Sequence, residues 1–421
     1  MRPLRPWLTR APRALFVMYA VGASFATYFC MYAFRKPFAA ASFDGQSFLG
    51  TGLDLKTAFV ISQIVGYTIS KYAGIKVVSE LRDTGRAAAL VLLVFVAELA
   101  LVAFAVLPPW SMAAALLVNG LCLGMIWGLV VRYLEGRRSS ELLLAGLSTS
   151  FIVASGAVKD VGRWLMRDGH VSEAWMPATV GLLFFVPFVV SVWLLDQLPP
   201  PTADDIAHRS ERTPMDGSAR RAFLRRFLGG LIPLFFVYVG ATAYRDFRDN
   251  YGVEIFRDLG YADEPGLFTA TELPVALGVL ATMAALTLVR DNRRGLAGAF
   301  AVMLAGAGIL LGSTLMLDAA WIDGMVWMVA VGFGSYLIYV PFNTVLFDRM
   351  IAATRTPGTA VFAIYVADAL GYTGSVAAQL YKDFGESSLS RLGFFHGASY
   401  AMAGAGALLL TVSFLFFWRR T

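Results

Sequence analysis

The sequence predicts an all-α membrane protein: twelve transmembrane helices in two six-helix, pseudo-symmetric halves. Three observations carry that expectation. The chain of 421 residues is 57% hydrophobic and only 15% charged, where a soluble domain would carry about 25% charged residues. Its apolar runs reach the ~20 residues that cross a hydrocarbon core. The runs fall into two groups on either side of one polar stretch, and the short alternating segments of a β-barrel are not visible.

Residues 1–196 form the expected amino-terminal half, with runs at 14–42, 57–78, 87–107, 110–134, 142–166 and 174–196. Arg2, Arg5, Arg10 and Arg13 precede the first run with no acid among them. No small-residue cleavage site follows, so this region is expected to be a retained end rather than a signal peptide. Residues 197–227 read as a linker, with Pro199-Pro200-Pro201, Asp204-Asp205, basic residues from Arg209 to Arg226 and no apolar periodicity. The expected carboxy-terminal half, 228–421, has runs at 228–250, 266–289, 297–317, 324–349, 357–381 and 394–418.

Charge placement sets the expected orientation. Lys76, Arg82, Arg86, Arg137, Arg138, Arg290, Arg293, Arg294, Arg355, Arg419 and Arg420 fall in connections on the side of the termini. The alternate connections hold Asp44, Asp54, Asp168, Glu173, Asp263, Glu264, Asp318 and Asp323 with few bases. The positive-inside rule then places both termini in the cytoplasm, as expected of a bacterial inner-membrane protein. This distribution also explains the formal net charge of +6 without a nucleic-acid partner. Cys30 and Cys122 both fall inside spans and read as small packing residues.

The halves echo one another. Arg82-Asp83-Thr84-Gly85-Arg86 follows the second run and Arg290-Asp291-Asn292-Arg293-Arg294-Gly295 the eighth. Arg35 of the first run is matched by Arg245 of the seventh, and Asp160 of the fifth by Asp368 of the eleventh. Repeated halves of this kind suit alternating access around a site at the midplane.

Ionisable groups inside spans are the candidate site residues, because a charge at such depth costs roughly 2.5–3.5 kcal/mol on insertion scales and marks substrate or ion pathways. Arg35, Lys36, Lys71 and Arg245 are the candidates for substrate binding. Guanidinium forks suit phosphate or carboxylate oxygens bidentately, and a lysine adds a point charge. Lys159, Asp160, Asp246, Arg248, Asp249, Glu272 and Asp368 are candidates for coupling or for ion pairing. Acids such as Asp160 or Asp249 could also neutralise Arg35 and Arg245 internally, and Lys36 and Lys71 could snorkel to the interface. No metal-ligand spacing, phosphate-cradling loop or nucleophile–base arrangement stands out, so no metal, cofactor or enzymatic activity is expected.

These residues resemble a known family. The chain is similar to the major facilitator superfamily, and within it to the organophosphate/phosphate antiporters, the glycerol-phosphate and hexose-phosphate carriers. Tyr32-Ala33-Phe34-Arg35-Lys36-Pro37-Phe38 resembles their Tyr-x-x-Arg-Lys-x-Phe signature, and Ser70-Lys71 their second-helix Ser-Lys. Gly124 to Arg132 resembles Gly-Met-x-Trp-x-x-x-x-Arg, and Leu337 to Pro341, Gly358-Thr359-Ala360 and Gly371 to Ser375 fall at similar spacings. The resemblance implies the major facilitator fold, with Arg35 and Arg245 binding a phosphoryl group from opposite halves and Lys36 and Lys71 as accessory bases. Two departures stand out. The family's fifth-helix histidine has no match, Ala154 or Ser155 standing there, and the seventh run carries extra charge in Asp246, Arg248 and Asp249.

The expected function is alternating-access secondary transport of a small organic anion, an organophosphate exchanged for inorganic phosphate. The alternatives are proton-coupled transport of another organic anion, with Asp160, Glu272 or Asp368 titrating, and a non-transporting sensor of a phosphorylated solute. The chain is expected to act as a monomer whose other partner is membrane lipid.

Overall fold

The computed structural model describes residues 3–80, 85–202, 205, 217–262, 264–354, 360–385 and 388–421. Several sequence readings lie outside the described residues: Arg82, Asp83 and Thr84, most of the linker between Ala203 and Asp216, Asp263, Arg355, and Gly358-Thr359. Twelve long helices follow in order. They are α1 (Arg13–Tyr32), α2 (Leu55–Glu80), α3 (Arg86–Val106), α4 (Pro109–Leu134, interrupted at Gly124-Met125), α5 (Ser140–Arg167) and α6 (Met176–Asp196). The second set is α7 (Gly217–Asn250), α8 (Leu267–Thr287), α9 (Asn292–Asp318), α10 (Gly324–Thr344), α11 (Ala360–Leu380) and α12 (Arg391–Trp418). Among the described residues, ten are long and apolar enough to cross a membrane. The remaining two, α2 and α11, pack against each other across the middle of the bundle.

Packing makes the pseudo-symmetry explicit. In the first half α1 packs on α5 and α6, α2 on α4, and α3 on α4 and α6. Adding six to each index gives the second half: α7 on α11 and α12, α8 on α10, and α9 on α10 and α12. Two seams join the halves, α2 against α11 and α5 against α8. Glycines set some of these approaches. A Cβ on Gly66 or Gly120 would fall on the backbone carbonyl of Leu117 or Gln63 respectively, so α2 and α4 meet backbone to backbone. Gly156 does the same for α5 against the Phe268 carbonyl of α8. In a bilayer, where apolar side chains gain nothing by leaving lipid, such close packing is what holds helices together.

Besides the interruption of α4 at Gly124-Met125, three elements differ from expectation. The first span was expected to run through residue 42, but α1 ends at Tyr32. Pro37 has no N–H to offer the helix and disfavours helical geometry at Lys36. The chain turns instead, with the Arg35 and Lys36 amides both donating to the Tyr32 carbonyl at 3.0 Å, and re-forms a short 3-10 turn at Pro37–Ala40. Arg35 and Lys36 are therefore not helical, although both are 3% exposed. The tenth element breaks at Val345 and resumes as Leu346–Ala353. The seventh begins at Gly217, so the last part of the expected linker is helical. Phe223 and Phe227 are buried there, their rings 5.0 Å apart, with Phe227 also against Phe417 of α12. That apolar face is what makes the stretch a helix.

Candidate functional site: a cationic chamber between the halves

The turn after α1 exposes carbonyls that no helix satisfies, and in an apolar interior each needs a partner. Gln63 of α2 donates to the Arg35 carbonyl at 2.9 Å and to the Asn119 side-chain oxygen at 2.9 Å. Asn119 of α4 donates to the Phe34 carbonyl at 3.0 Å and to the Ala97 carbonyl of α3 at 3.1 Å. Four elements thus fix the backbone from which Arg35 projects.

Arg35 enters a tight cavity of about 20 Å³ between the two halves. Tyr28, Tyr32, Tyr67, Lys71 and Trp127 line it from the first half, with Phe151 of α5. The second half contributes Arg245, Tyr339, Asn343, Asp368 and Tyr372. Rings close the walls: Tyr67 meets Tyr372 across the halves at 4.9 Å and Tyr28 meets Trp127 at 5.0 Å. The Arg35 guanidinium lies 4.0 Å over the Tyr67 ring and donates to the Tyr32 hydroxyl at 3.3 Å. Arg245 lies 4.2 Å over Tyr339. Stacking on an aromatic face orients a guanidinium while leaving its edge donors free.

The cations differ in how they are satisfied. Lys71 pairs with Asp368 of α11 at 2.8 Å, and Asp368 also accepts from Tyr238 of α7. Arg245 pairs with its neighbour Asp246 at 2.8 Å. Arg35 has no carboxylate partner among the described residues, and its Nε has no hydrogen-bond partner. The Arg245 Nε is likewise unpartnered. The chamber therefore holds three cations, two with carboxylates at hand and one without. In a low-dielectric enclosure that excess attracts an anion far more strongly than water would allow.

The other candidates lie elsewhere. Lys36 is turned away from the chamber into Asp249 of α7 at 2.6 Å and Asn250 at 2.8 Å. It does not line the gap with Arg35, because the turn after Tyr32 sends consecutive side chains to different walls. Lys159 of α5 shares Asp249 at 2.8 Å, and Ser155 also donates to it. Arg248 is held within the second half by Glu272 of α8 and the Met328 carbonyl. Asp160 accepts from the Phe268 and Thr269 amides and the Thr269 hydroxyl, so it caps the start of α8 from α5. The neutraliser of Arg245 is Asp246, not Asp160 or Asp249.

Sequence reasoning missed several residues. Tyr67, Tyr372, Tyr339 and Trp127 shape the chamber, yet aromatic residues are too common in spans to signal it. Lys56 of α2, fully buried and paired with Glu254 at 2.6 Å, looked like a loop residue. Glu98 interrupts α3 and could have been found by the criterion that singled out Arg35.

An all-helical bundle of twelve long helices, doubled by a six-helix repeat around a central chamber, defines the major facilitator fold. Solved structures agree over nearly the whole chain. A D-xylose–proton symporter matches with a TM-score of 0.63 at 14% identity, covering 97% of this chain and 98% of its own. The outward conformation of FucP, a major facilitator superfamily transporter, matches at 0.57 with 16% identity and coverage of 97% and 99%. The human organic anion transporter MFSD10 (TETRAN) matches at 0.56 with 14% identity and coverage of 96% and 100%. Such identities establish the fold alone. By sequence the chain belongs to a family of unknown function, DUF5690, matched over residues 37–420. No curated protein matches it in sequence.

Proposed function

We propose that this protein is an alternating-access secondary transporter of a small organic anion, with a phosphate or phosphate-like head as the group it binds. One observation carries the reading: the buried Arg35 guanidinium faces a chamber between the halves with no carboxylate among the described residues to satisfy it. Lys71 and Arg245 line the same gap. An oxyanion entering would meet Arg35 first, because no internal acid has to be displaced. It would then compete with Asp368 for Lys71 and with Asp246 for Arg245. Loosening Lys71–Asp368 removes a bond between the halves, while an anion shared by Arg35 and Arg245 adds one at a neighbouring layer. That exchange of inter-half bonds is a switch whose two arrangements differ by the solute.

The enclosed space is about 20 Å³, room for roughly one water molecule, so the halves must part around Arg35 before a solute can enter. That proteins of like fold carry a sugar or an organic anion supports carriage without choosing the solute. The basic connections on the side of the termini support an orientation with both termini in the cytoplasm.

The test is uptake into proteoliposomes of labelled phosphate, sugar phosphates, phosphonates and carboxylates. Phosphorylated solutes accumulate in wild-type vesicles and not in Arg35→Ala vesicles. Uptake of neutral sugars alone, or anion uptake unaffected by Arg35→Ala, overturns the reading; saturable binding without flux makes the protein a sensor.

A further inference from the structure

Four carboxylates are buried among the described residues: Glu98, Asp246, Glu272 and Asp368. Three belong to ion pairs, with Arg245, Arg248 and Lys71. Glu98 belongs to none among the described residues, and its Oε2 has no hydrogen-bond partner. It is 7% exposed and lies on α3 twelve residues after Arg86, roughly 18 Å along the helix at 1.5 Å per residue. Its carboxyl sits where α6 has no side chain: a Cβ on Gly181 would fall on Oε2, with the Phe34 ring alongside.

The charged groups around it belong to other partners. On the α1 turn, Arg35 stacks on Tyr67 and Lys36 pairs with Asp249. In α4 the one charged residue is Arg132, close to the end of the helix, and in α6 it is Asp196, the terminal residue. Among the described residues no cation pairs with this carboxyl, and a buried charge without a partner is costly. Yet Glu98 is tied to the anion site. Asn119 holds both the Phe34 carbonyl, one residue before Arg35, and the Ala97 carbonyl, one residue before Glu98.

We propose that Glu98 is a proton-binding site linked to anion binding at Arg35, so that the protein couples its solute to protons. The coupling rests on the anion-carrier reading above. The step is a simple protonation: a proton from water adds to the Glu98 carboxylate to give the carboxylic acid, and leaves by the reverse. Its sign follows from charge. A bound anion repels an ionised Glu98 and so promotes proton uptake; deprotonation weakens anion binding in turn. The shared Asn119 gives the two sites a mechanical link in addition.

The experiment uses the full-length protein, wild type and Glu98→Gln, which imitates the neutral acid and preserves folding. Infrared difference spectra across a pH titration should show a buried protonated carboxyl in wild type that is missing in Glu98→Gln. In weakly buffered detergent solution, inorganic phosphate and a sugar phosphate, followed through chamber Trp127 fluorescence, should bring more proton uptake in wild type than in Glu98→Gln. Probe affinity should weaken several-fold more with rising pH in wild type than in Glu98→Gln, where only the titration of the phosphate itself remains. In proteoliposomes Glu98→Gln should lose the response of uptake to an imposed pH gradient. The proposal is overturned if wild type lacks the infrared band, if the band persists in Glu98→Gln, or if both proteins respond equally to the gradient. The infrared result judges Glu98 whatever the solute, whereas indifference of uptake to Arg35→Ala sinks the carrier reading alone.

Discussion

In the proposed carrier Arg35 is the group an anion meets first, and its geometry distinguishes charge from shape. A lysine there would keep the charge but lose the planar fork and the 4.0 Å stack on Tyr67. Arg35→Lys is therefore expected to weaken binding of phosphorylated solutes by at least about tenfold, roughly 1.4 kcal/mol, as read by Trp127 fluorescence or uptake. A second residue-scale prediction concerns Asp368. Asp368→Asn leaves Lys71 buried without its counter-charge, a change that costs about 3–5 kcal/mol. The thermal midpoint should fall, and added phosphate should restore much of it because the anion replaces the lost carboxylate. A fall that phosphate does not relieve would place Lys71 outside the anion site. Arg35, Lys71 and Arg245 were legible in the sequence because an intramembrane cation is conspicuous. Their division of labour was not, since nothing in the run Arg35-Lys36 says that the two side chains face different walls. Glu98 was equally conspicuous and was passed over beside richer charge clusters.

At the scale of elements, periodicity and length placed all twelve helices. What they missed were interruptions governed by local chemistry. Pro37 could have ended the first span on paper, and it decides that Arg35 projects from a turn rather than a helix. Val345 has no such marker. The start of α7 at Gly217 lay hidden in a stretch whose charges masked Phe223 and Phe227. The α2–α4 seam supports a test at this scale. Gly120 rests on the Gln63 carbonyl, and a backbone atom cannot swing aside. Gly120→Ala should cost about 1–3 kcal/mol as overpacking, seen as a lower thermal midpoint. It should also weaken anion binding, because Gln63 and Asn119, which hold the Arg35 turn, lie on the two helices it pushes apart. Gly22, with open space around its notional Cβ, is the control: Gly22→Ala should leave anion binding unchanged and the thermal midpoint equal or slightly higher, since alanine favours the helix.

For the molecule as a whole, ion pairs among the described residues join the halves at both ends. Away from the termini the halves are joined by Lys36–Asp249, Lys56–Glu254, Arg391–Asp54 and Arg257–Asp44, with Tyr251 against Thr57 at 2.8 Å. At the other end, among the described residues, Arg349 of the segment after α10 reaches Glu141 of α5 at 2.8 Å. Glu141→Gln should raise the accessibility of a cysteine introduced at that end while leaving one at the far end protected. The resident Cys30 and Cys122 are both buried and provide a quiet background for such labelling. Equal changes at both ends would show that Arg349–Glu141 does not act as a latch. The doubling of the halves was legible from the repeat of Arg35 and Arg245, but the pairs that join them were not, since Lys56 and Glu254 lie nearly two hundred residues apart in sequence and only the fold brings them together.

The length of α7 has a consequence for the surrounding lipid. Its 34 residues measure about 51 Å at 1.5 Å per residue, against a hydrocarbon core of ~30 Å. Tilt absorbs only part of the difference, so the first turns stand beyond the acyl chains among the headgroups. Arg221, Arg225 and Arg226 point outward from that overhang. Each is worth about 1 kcal/mol of attraction to an anionic leaflet. On a leaflet rich in acidic lipid the helix that carries Arg245 would then be moored at its start, and vesicles differing only in acidic lipid content would hold it with different firmness.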